Sequence, residues 1–140
     1  MSVTVQCKEG TLPLTNAEVQ QLWLATTAKR QVTDNPVTVR CVSEQEMVEL
    51  NVTYRKQSSP TNVLTFSYED EHDVALCLAV AQREASDRGV DLRDYVALLV
   101  VHAFVHATGL DHEHSTQAAE KVVAMEKDIL NAAGYKPVAW

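Results

Sequence analysis

Apolar and polar residues alternate along short stretches of the chain. Residues 3–7 and 36–42 carry apolar side chains at every second position, which is the period of a half-buried strand. The runs 62–66 and 74–78 are short and mostly apolar, and each follows a polar, loop-forming segment. We therefore predict a sheet of about four strands.

Elsewhere the apolar residues are spaced three and four apart, which is the period of a helix. Thr15 and Glu18 form a capping box, and the helix that it opens runs to about Arg30. Ser43 and Glu46 repeat this pattern at the start of a short second helix. Further helices are predicted over residues 79–88, 92–108 and 116–133.

The helix predicted over residues 92–108 is apolar around nearly its whole circumference. A helix of that kind is buried, so we expect it at the centre of the molecule. The sequence contains no internal repeat, low-complexity tract or linker, and we expect residues 1–140 to form a single domain. The predicted fold class is α+β: an α/β sandwich in which helices cover a mixed sheet of about four strands.

The composition of the chain indicates the protein class and the cellular compartment to expect. The chain of 140 residues is 46% hydrophobic and 22% charged, which is typical of a globular domain. It has no apolar run long enough to span a bilayer, and its first residues resemble a strand rather than a signal peptide. Cys7, Cys41 and Cys77 are far apart in apolar surroundings, which is typical of small, reduced core residues. We therefore expect a cytoplasmic protein without a membrane partner.

The formal net charge of −7 disfavours general binding of nucleic acid, which usually depends on a basic surface. An RNA contact would need a local basic patch, and the sequence does not place its basic residues on one face. The acidic residues between 69 and 73 are expected to form a solvated turn. The candidates for a basic patch are Lys29, Arg30, Arg40, Arg55, Lys56, Arg83 and Arg88.

The strongest chemical signal is a group of three histidines between residues 102 and 112. His102 and His106 are four residues apart, so on a helix they share one face about one turn apart. Gly109 follows where this helix would have to stop, because glycine adopts the left-handed conformation that ends many helices. The reversal would bring His112 to the same ion and leave one position open on a tetrahedral zinc, as in catalytic sites.

This histidine segment resembles the His-x-x-x-His-x-x-Gly-x-Asp-His motif of the YbeY endoribonuclease family of rRNA maturation factors. Residues 49–55 and 60–66 resemble the family's Leu-Asn-x-x-Tyr/Phe-Arg and Thr-Asp/Asn-Val-Leu-Ser-Phe signatures, and residues 125–135 resemble its C-terminal helix. The chain departs from the family pattern at three positions. Ala103 replaces a glycine, Leu110 replaces a tyrosine, and His72 replaces a glycine before a strand.

The resemblance implies a zincin-like fold, with the first two metal ligands on the central helix. It implies a metal-dependent, single-strand-specific endoribonuclease that matures the 3′ end of small-subunit rRNA and takes part in ribosome quality control. The implied partners are ribosomal RNA, the ribosome and ribosome-associated proteins, and the oligomeric state stays undetermined. The implied ligands of one Zn²⁺ per chain are His102, His106 and His112, although imidazole also accepts other divalent transition metals. Arg55 would be the functional arginine.

The residues themselves favour some reactions over others. A guanidinium such as that of Arg55 can hold phosphate oxygens in bidentate fashion. Ala103 occupies the position where His-Glu-x-x-His metalloproteases carry their general base, so a peptidase mechanism would lack that base. Asp111 could orient a ligand imidazole, act as a base or only form the turn, and these roles stay open.

Two other functions remain alternatives. The first is a ribosome-associated assembly factor whose metal site is mainly structural, with a fourth protein ligand such as His114 or His72. The second is a metal-dependent hydrolase of another substrate, because three histidines can activate water without regard to the substrate. His114 also competes with His112 as third ligand on proximity alone, and the family pattern selects His112.

Overall fold

The computed structural model describes residues 2–8, 10–56, 61–109, 116–136 and 138, except for the side chain of Arg55. The elements in chain order are β1 (Val3–Cys7), α1 (Asn16–Arg30), β2 (Val37–Cys41), α2 (Glu44–Arg55), β3 (Val63–Ser67), β4 (His72–Leu76), α3 (Leu78–Arg88), α4 (Leu92–Ala107) and α5 (Thr116–Ala132).

The strands of the described residues form one four-stranded sheet in the order β1-β2-β4-β3. β1, β2 and β4 run parallel, and β3 is antiparallel to β4, so the sheet is mixed. The α+β class and the four-stranded mixed sheet are therefore confirmed. β3 lies at one edge of this sheet, a position that becomes important for the candidate site.

The larger core lies between one face of the sheet and α1, α4 and α5. Val39 and Val74 pair across neighbouring strands and point into this core with no exposed surface. Trp23 of α1 packs edge-on against Phe104 of α4, with their ring centroids 5.0 Å apart. The prediction that the apolar helix is the buried centre of the molecule is confirmed, because most of α4 is buried.

A smaller core covers the opposite face of the sheet. Met47 of α2 is fully buried there against Leu64 of β3 and Ala75 of β4. Phe66 packs against the edge of this cluster and is half-buried. Since alternate residues of a strand point to opposite faces, Leu64 and Phe66 face α2, whereas Thr65 faces α4. β3 therefore separates α2 from α4.

The capping signals place the helix starts correctly. The Thr15 N–H donates to Glu18 Oε1 at 2.9 Å, and the Glu18 N–H donates to Thr15 Oγ1 at 3.1 Å, which completes the capping box. The Glu46 N–H donates to Ser43 Oγ at 3.1 Å. The second helix is longer than predicted: α2 continues past Leu50 to Arg55, and Asn51 in this extension is buried.

β4 begins at His72, two residues before the predicted strand. The Tyr68 N–H donates to the Glu71 carbonyl at 2.8 Å and closes the β3–β4 turn, and the His72 N–H donates to the Pro36 carbonyl at 2.9 Å. His72 thus occupies an ordinary strand position, and its replacement of a glycine does not disrupt the hairpin. Glu69 and Asp70 are exposed in the turn, as predicted.

The prediction for the cysteines is partly wrong. Cys7 and Cys41 face each other in the parallel register of β1 and β2, with Cα atoms 4.6 Å apart, and form a disulfide. Cys77 is free and buried, as expected. Spacing along the chain did not reveal the pair, because the register of two distant strands brings them together. Disulfides are uncommon in cytosolic proteins, so the cysteines no longer support the expected reduced setting.

Among the described helices, none is long and apolar enough to cross a membrane.

Candidate metal site

His102 and His106 lie on one face of α4, one turn apart, with ring centroids 5.4 Å apart. Both side chains are half-buried, whereas Ala103 and Val105 between them are buried in the core. The histidines therefore form a polar strip in the C-terminal half of the helix, whose other residues there are apolar. This juxtaposition is the one predicted from their spacing.

The helix ends where Gly109 was expected to end it. The Gly109 N–H donates to the His106 carbonyl at 2.9 Å, and the residue has a φ of 95°. This left-handed backbone strains any residue that carries a Cβ, so glycine suits the position. The chain thus leaves α4 three residues after the second histidine.

Glu126 of α5 is the main site residue that sequence reasoning missed. It is 1% exposed, and its Oε2 accepts a hydrogen bond from His102 Nδ1. An ionised carboxylate can only accept, so in this pairing the imidazole carries its hydrogen on Nδ1. The remaining nitrogen, Nε2, then has the lone pair that a metal requires.

A sequence signal for Glu126 did exist. Val122, Ile129 and Leu130 form the buried stripe of α5, and Glu126 lies within that stripe at helical spacing. An acidic residue is rarely buried without a partner. The partner, however, is 24 positions away on another helix, and the sequence gives no measure of that contact.

Arg30 reaches the same end of α4 from α1. Its Nε donates to Thr108 Oγ1 at 2.9 Å, and its Nη2 donates to the Thr108 carbonyl at 3.3 Å. The Thr108 hydroxyl also donates to the Val105 carbonyl at 2.6 Å. A cation at a helix C-terminus is favoured by the helix dipole. Arg30 therefore fixes the point at which the chain leaves the histidine helix.

The edge strand β3 lies directly against this helix. The Thr65 hydroxyl donates to the carbonyl of Ala103 at 3.3 Å, next to His102 in the chain. In His-Glu-x-x-His proteases the residue after the first histidine is the glutamate that acts as general base. Here that residue is Ala103, which is buried and has no acidic group. β3 thus contacts the histidine helix through Thr65 and the smaller core through Leu64 and Phe66.

The other predicted site residues lie partly or wholly outside the described residues. Arg55 is the last residue of α2, and its side chain is not described. His112 and Asp111, as well as the competing His114, fall in the segment 110–115 outside the description. Their roles stay predictions.

His72 lies apart from the pair on α4. Its Nδ1 is 2.9 Å from Ser67 Oγ, and its ring meets the edge of Trp23 with centroids 5.6 Å apart. Burial lowers the pKa of His72 below its ordinary value, and the negative charge of the neighbouring Asp73 offsets only part of this decrease. These contacts give His72 a packing role in the sheet.

Among the candidate basic residues whose side chains are described, most are engaged in other contacts and do not form one free patch. Arg30 binds Thr108, and the Arg88 guanidinium lies over the Tyr95 ring at 5.4 Å from its centroid. Lys56 is exposed at the C-cap of α2. Other members pair with carboxylates: Lys29 with Asp128, Arg40 with Glu46 and Arg83 with Glu44.

The described donors fit a transition metal. Two imidazoles share a helix face, and a buried carboxylate orients one of them, which is a common arrangement around zinc. Within the described residues, no group of three histidine, cysteine or acidic side chains could hold an ion. The expected third ligand, His112, lies outside that part of the chain.

Comparison with known proteins identifies the family. Residues 4–134 match the family model of endoribonuclease YbeY. The chain is 42% identical to endoribonuclease YbeY of Delftia acidovorans over 106 residues, which cover 73% of this chain and 70% of the relative. It is 43% identical to the Burkholderia cenocepacia protein of the same name over 105 residues, covering 71% of this chain and 61% of the relative.

The fold agrees with a solved structure as well. The solution structure of TM1509 from Thermotoga maritima superposes with a TM-score of 0.65 at 25% sequence identity. The match covers 94% of this chain and 88% of that protein. Together with the family match over nearly the whole sequence, this shows that the chain belongs to the endoribonuclease YbeY family.

Proposed function

We propose that the protein is a metal-dependent endoribonuclease that cleaves single-stranded ribosomal RNA, with roles in maturation of the small-subunit 3′ end and in ribosome quality control. The observation that carries this proposal is the carboxylate-oriented His102 beside His106 on the buried helix of a YbeY-family chain. The names of its relatives support the endoribonuclease activity. Ribosomal RNA and the ribosome are the partners that this activity requires.

His102, His106 and His112 would hold one zinc ion, with the fourth position open to water and substrate. A zinc ion in such a site supplies a water of pKa about 7 and Lewis-acid stabilisation of phosphate oxygens. The imidazoles also fit other divalent transition metals, so metal identity needs a separate measurement.

Glu126 prepares His102 for this task. By accepting a hydrogen bond from the Nδ1–H group, it fixes the tautomer and restricts rotation of the ring. Its negative charge also favours a cation on the far side of the imidazole. Glu126 thus acts on the reaction through His102, as a positioning residue.

Arg55 is the proposed phosphate-binding residue. It ends α2, whose body packs on the sheet face opposite to α4. A guanidinium presents several donors in one plane and suits a phosphate that gains negative charge. Removing a donor of this kind from a transition state typically costs about 10²–10³ in rate.

The test is cleavage of a small-subunit rRNA fragment with a 3′ extension by the wild type, His106→Ala and Arg55→Ala. The matched control is Arg83→Ala, because Arg83 is exposed and paired with Glu44. We expect His106→Ala to lose both bound metal and cleavage, and Arg55→Ala to keep the metal but lose about 10²–10³ in rate. Arg83→Ala should behave as the wild type.

The alternative outcomes separate the other functions. Equal cleavage by all variants would reveal a contaminating nuclease. Stoichiometric metal without cleavage of any RNA would favour an assembly factor with a structural site. Hydrolysis of other phosphate esters or amides, with rRNA left intact, would indicate a different hydrolase.

A further inference from the structure

Large aromatic side chains lie exposed on the far side of β3 from the histidine helix. Tyr54 of α2 is 61% exposed and Tyr68, just after β3, is 54% exposed. The Tyr54 ring rests on the ring of Phe66, with centroids 4.6 Å apart and an interplanar angle of 56°. Tyr54, Phe66 and Tyr68 are hereafter the aromatic surface.

The aromatic surface packs on the smaller core through Phe66. This packing holds Phe66 in position under Tyr54. Partial burial raises the pKa of the Tyr68 hydroxyl, and the nearby Asp73 and Tyr54 raise it further. Exposed aromatic rings held in this way offer flat faces to a ligand.

The aromatic surface and the candidate site lie on opposite sides of the same edge strand, β3. Phe66 is adjacent to Thr65, and Thr65 bonds to the Ala103 carbonyl next to His102. The two neighbours on β3 point to opposite sides, one towards α2 and the other towards α4. Because β3 is an edge strand of the described sheet, an RNA strand that passes over it would have the histidine helix on one side and the aromatic rings on the other.

The charges around the aromatic surface differ at its two ends. Tyr54 is followed by Arg55 and the exposed Lys56, whereas Tyr68 is followed by the exposed acids Glu69 and Asp70. A polyanion is therefore favoured at the α2 end and disfavoured at the turn. The basic residues at the α2 end therefore give an RNA backbone a locally favourable position in a protein whose net charge is −7.

From these contacts we infer that Tyr54, supported by Phe66, stacks on a base of single-stranded RNA next to the cleaved phosphate. The inference rests on the proposed function and adds to it the surface that positions the substrate. Unpaired bases stack on aromatic side chains without regard to their identity, which suits a nuclease specific for single strands. Tyr54 is then a substrate-binding residue outside the metal site.

The test measures binding of a short fluorescent oligoribonucleotide to proteins carrying His106→Ala, which prevents cleavage. Alanine substitution of a stacking aromatic weakens binding by roughly 5- to 150-fold, and we expect Tyr54→Ala to fall in this range. Tyr54→Phe keeps the ring and should bind within about twofold of its parent. The control is Leu24→Ala, since Leu24 is 43% exposed on α1, away from this surface.

Abasic oligonucleotides make the test specific for stacking. Removing the base that contacts Tyr54 should weaken binding by the parent protein and leave Tyr54→Ala unaffected, so the two losses are not additive. In the cleaving enzyme, Tyr54→Ala should raise KM with little change in kcat. Circular dichroism verifies that the variants are folded.

The outcomes distinguish the two proposals. If the parent binds and the wild type cleaves RNA, but Tyr54→Ala binds equally well, the stacking inference is wrong and the proposed function stands. Equal losses in Tyr54→Ala and Tyr54→Phe would replace stacking with a hydrogen bond of the hydroxyl. If the wild type neither binds nor cleaves single-stranded RNA, both proposals fail, and the surface would suit a protein partner instead.

Discussion

Each end of α4 has a polar side chain that is hydrogen-bonded to a glutamate of a neighbouring helix, but the two pairs have different roles. At the N-terminal end, the Tyr95 hydroxyl donates to Glu84 Oε1 of α3 at 2.9 Å. At the C-terminal end, His102 Nδ1 donates to Glu126 of α5. In both places a polar group on the buried helix is matched by a carboxylate from a neighbouring helix.

The difference lies in what each partner can still do. Glu84 also accepts from Asn62 Nδ2 at 3.0 Å, so one carboxylate oxygen satisfies both the hydroxyl of the buried Tyr95 and a half-buried amide. An imidazole has two nitrogens, and a carboxylate on one sets the role of the other. The first pair therefore stabilises the fold, whereas the second also prepares a ligand.

The largest effect is expected for Glu126→Ala. Loss of a carboxylate that orients a metal-binding histidine typically lowers metal affinity by about 10- to 100-fold. Zinc affinity would be measured by competition with a chromophoric chelator, with Glu84→Ala as the matched control at the other end of α4. Equal zinc affinity in Glu126→Ala and the wild type would show that both ends of the helix are only structural.

Glu84→Ala should instead act on stability. It leaves the buried Tyr95 hydroxyl and the Asn62 amide without their shared acceptor, at a cost of about 1–3 kcal/mol in the free energy of unfolding. Urea denaturation gives this value, and Glu84→Gln, which keeps an acceptor oxygen, should recover part of it. Zinc affinity and RNA cleavage should stay at wild-type levels. A loss of zinc in Glu84→Ala would contradict the assignment of separate roles.

The same contrast explains what the sequence could predict. The spacing of apolar residues located α4, and the local pattern around Gly109 located its end, because both depend on neighbours in the chain. The contact of Glu126 with His102 and that of Arg30 with Thr108 depend on how distant helices pack. Buried polar residues within an apolar stripe mark such contacts, but the sequence leaves their partners open.

Tyr95→Phe is the mildest test, because it removes one hydrogen bond and keeps the ring. At pH 7 it should lower the free energy of unfolding by about 1 kcal/mol. Burial raises the pKa of Tyr95, and the hydrogen bond to Glu84 raises it further. The folded state therefore holds this proton more tightly than the unfolded chain does. The resulting stability is complete below pH 10.0, the ordinary value, and is lost as the pH rises through the folded-state pKa.

The advantage of the wild type over Tyr95→Phe should therefore narrow above pH 10.0. Urea denaturation of both proteins at neutral and alkaline pH measures this difference directly. The pKa values of Tyr68 and Tyr135 are also raised, mainly by desolvation, but both residues are present in the two proteins and cancel in the comparison. Parallel curves would mean that the Tyr95 proton is held no more tightly in the folded state, and that Glu84 contributes packing alone.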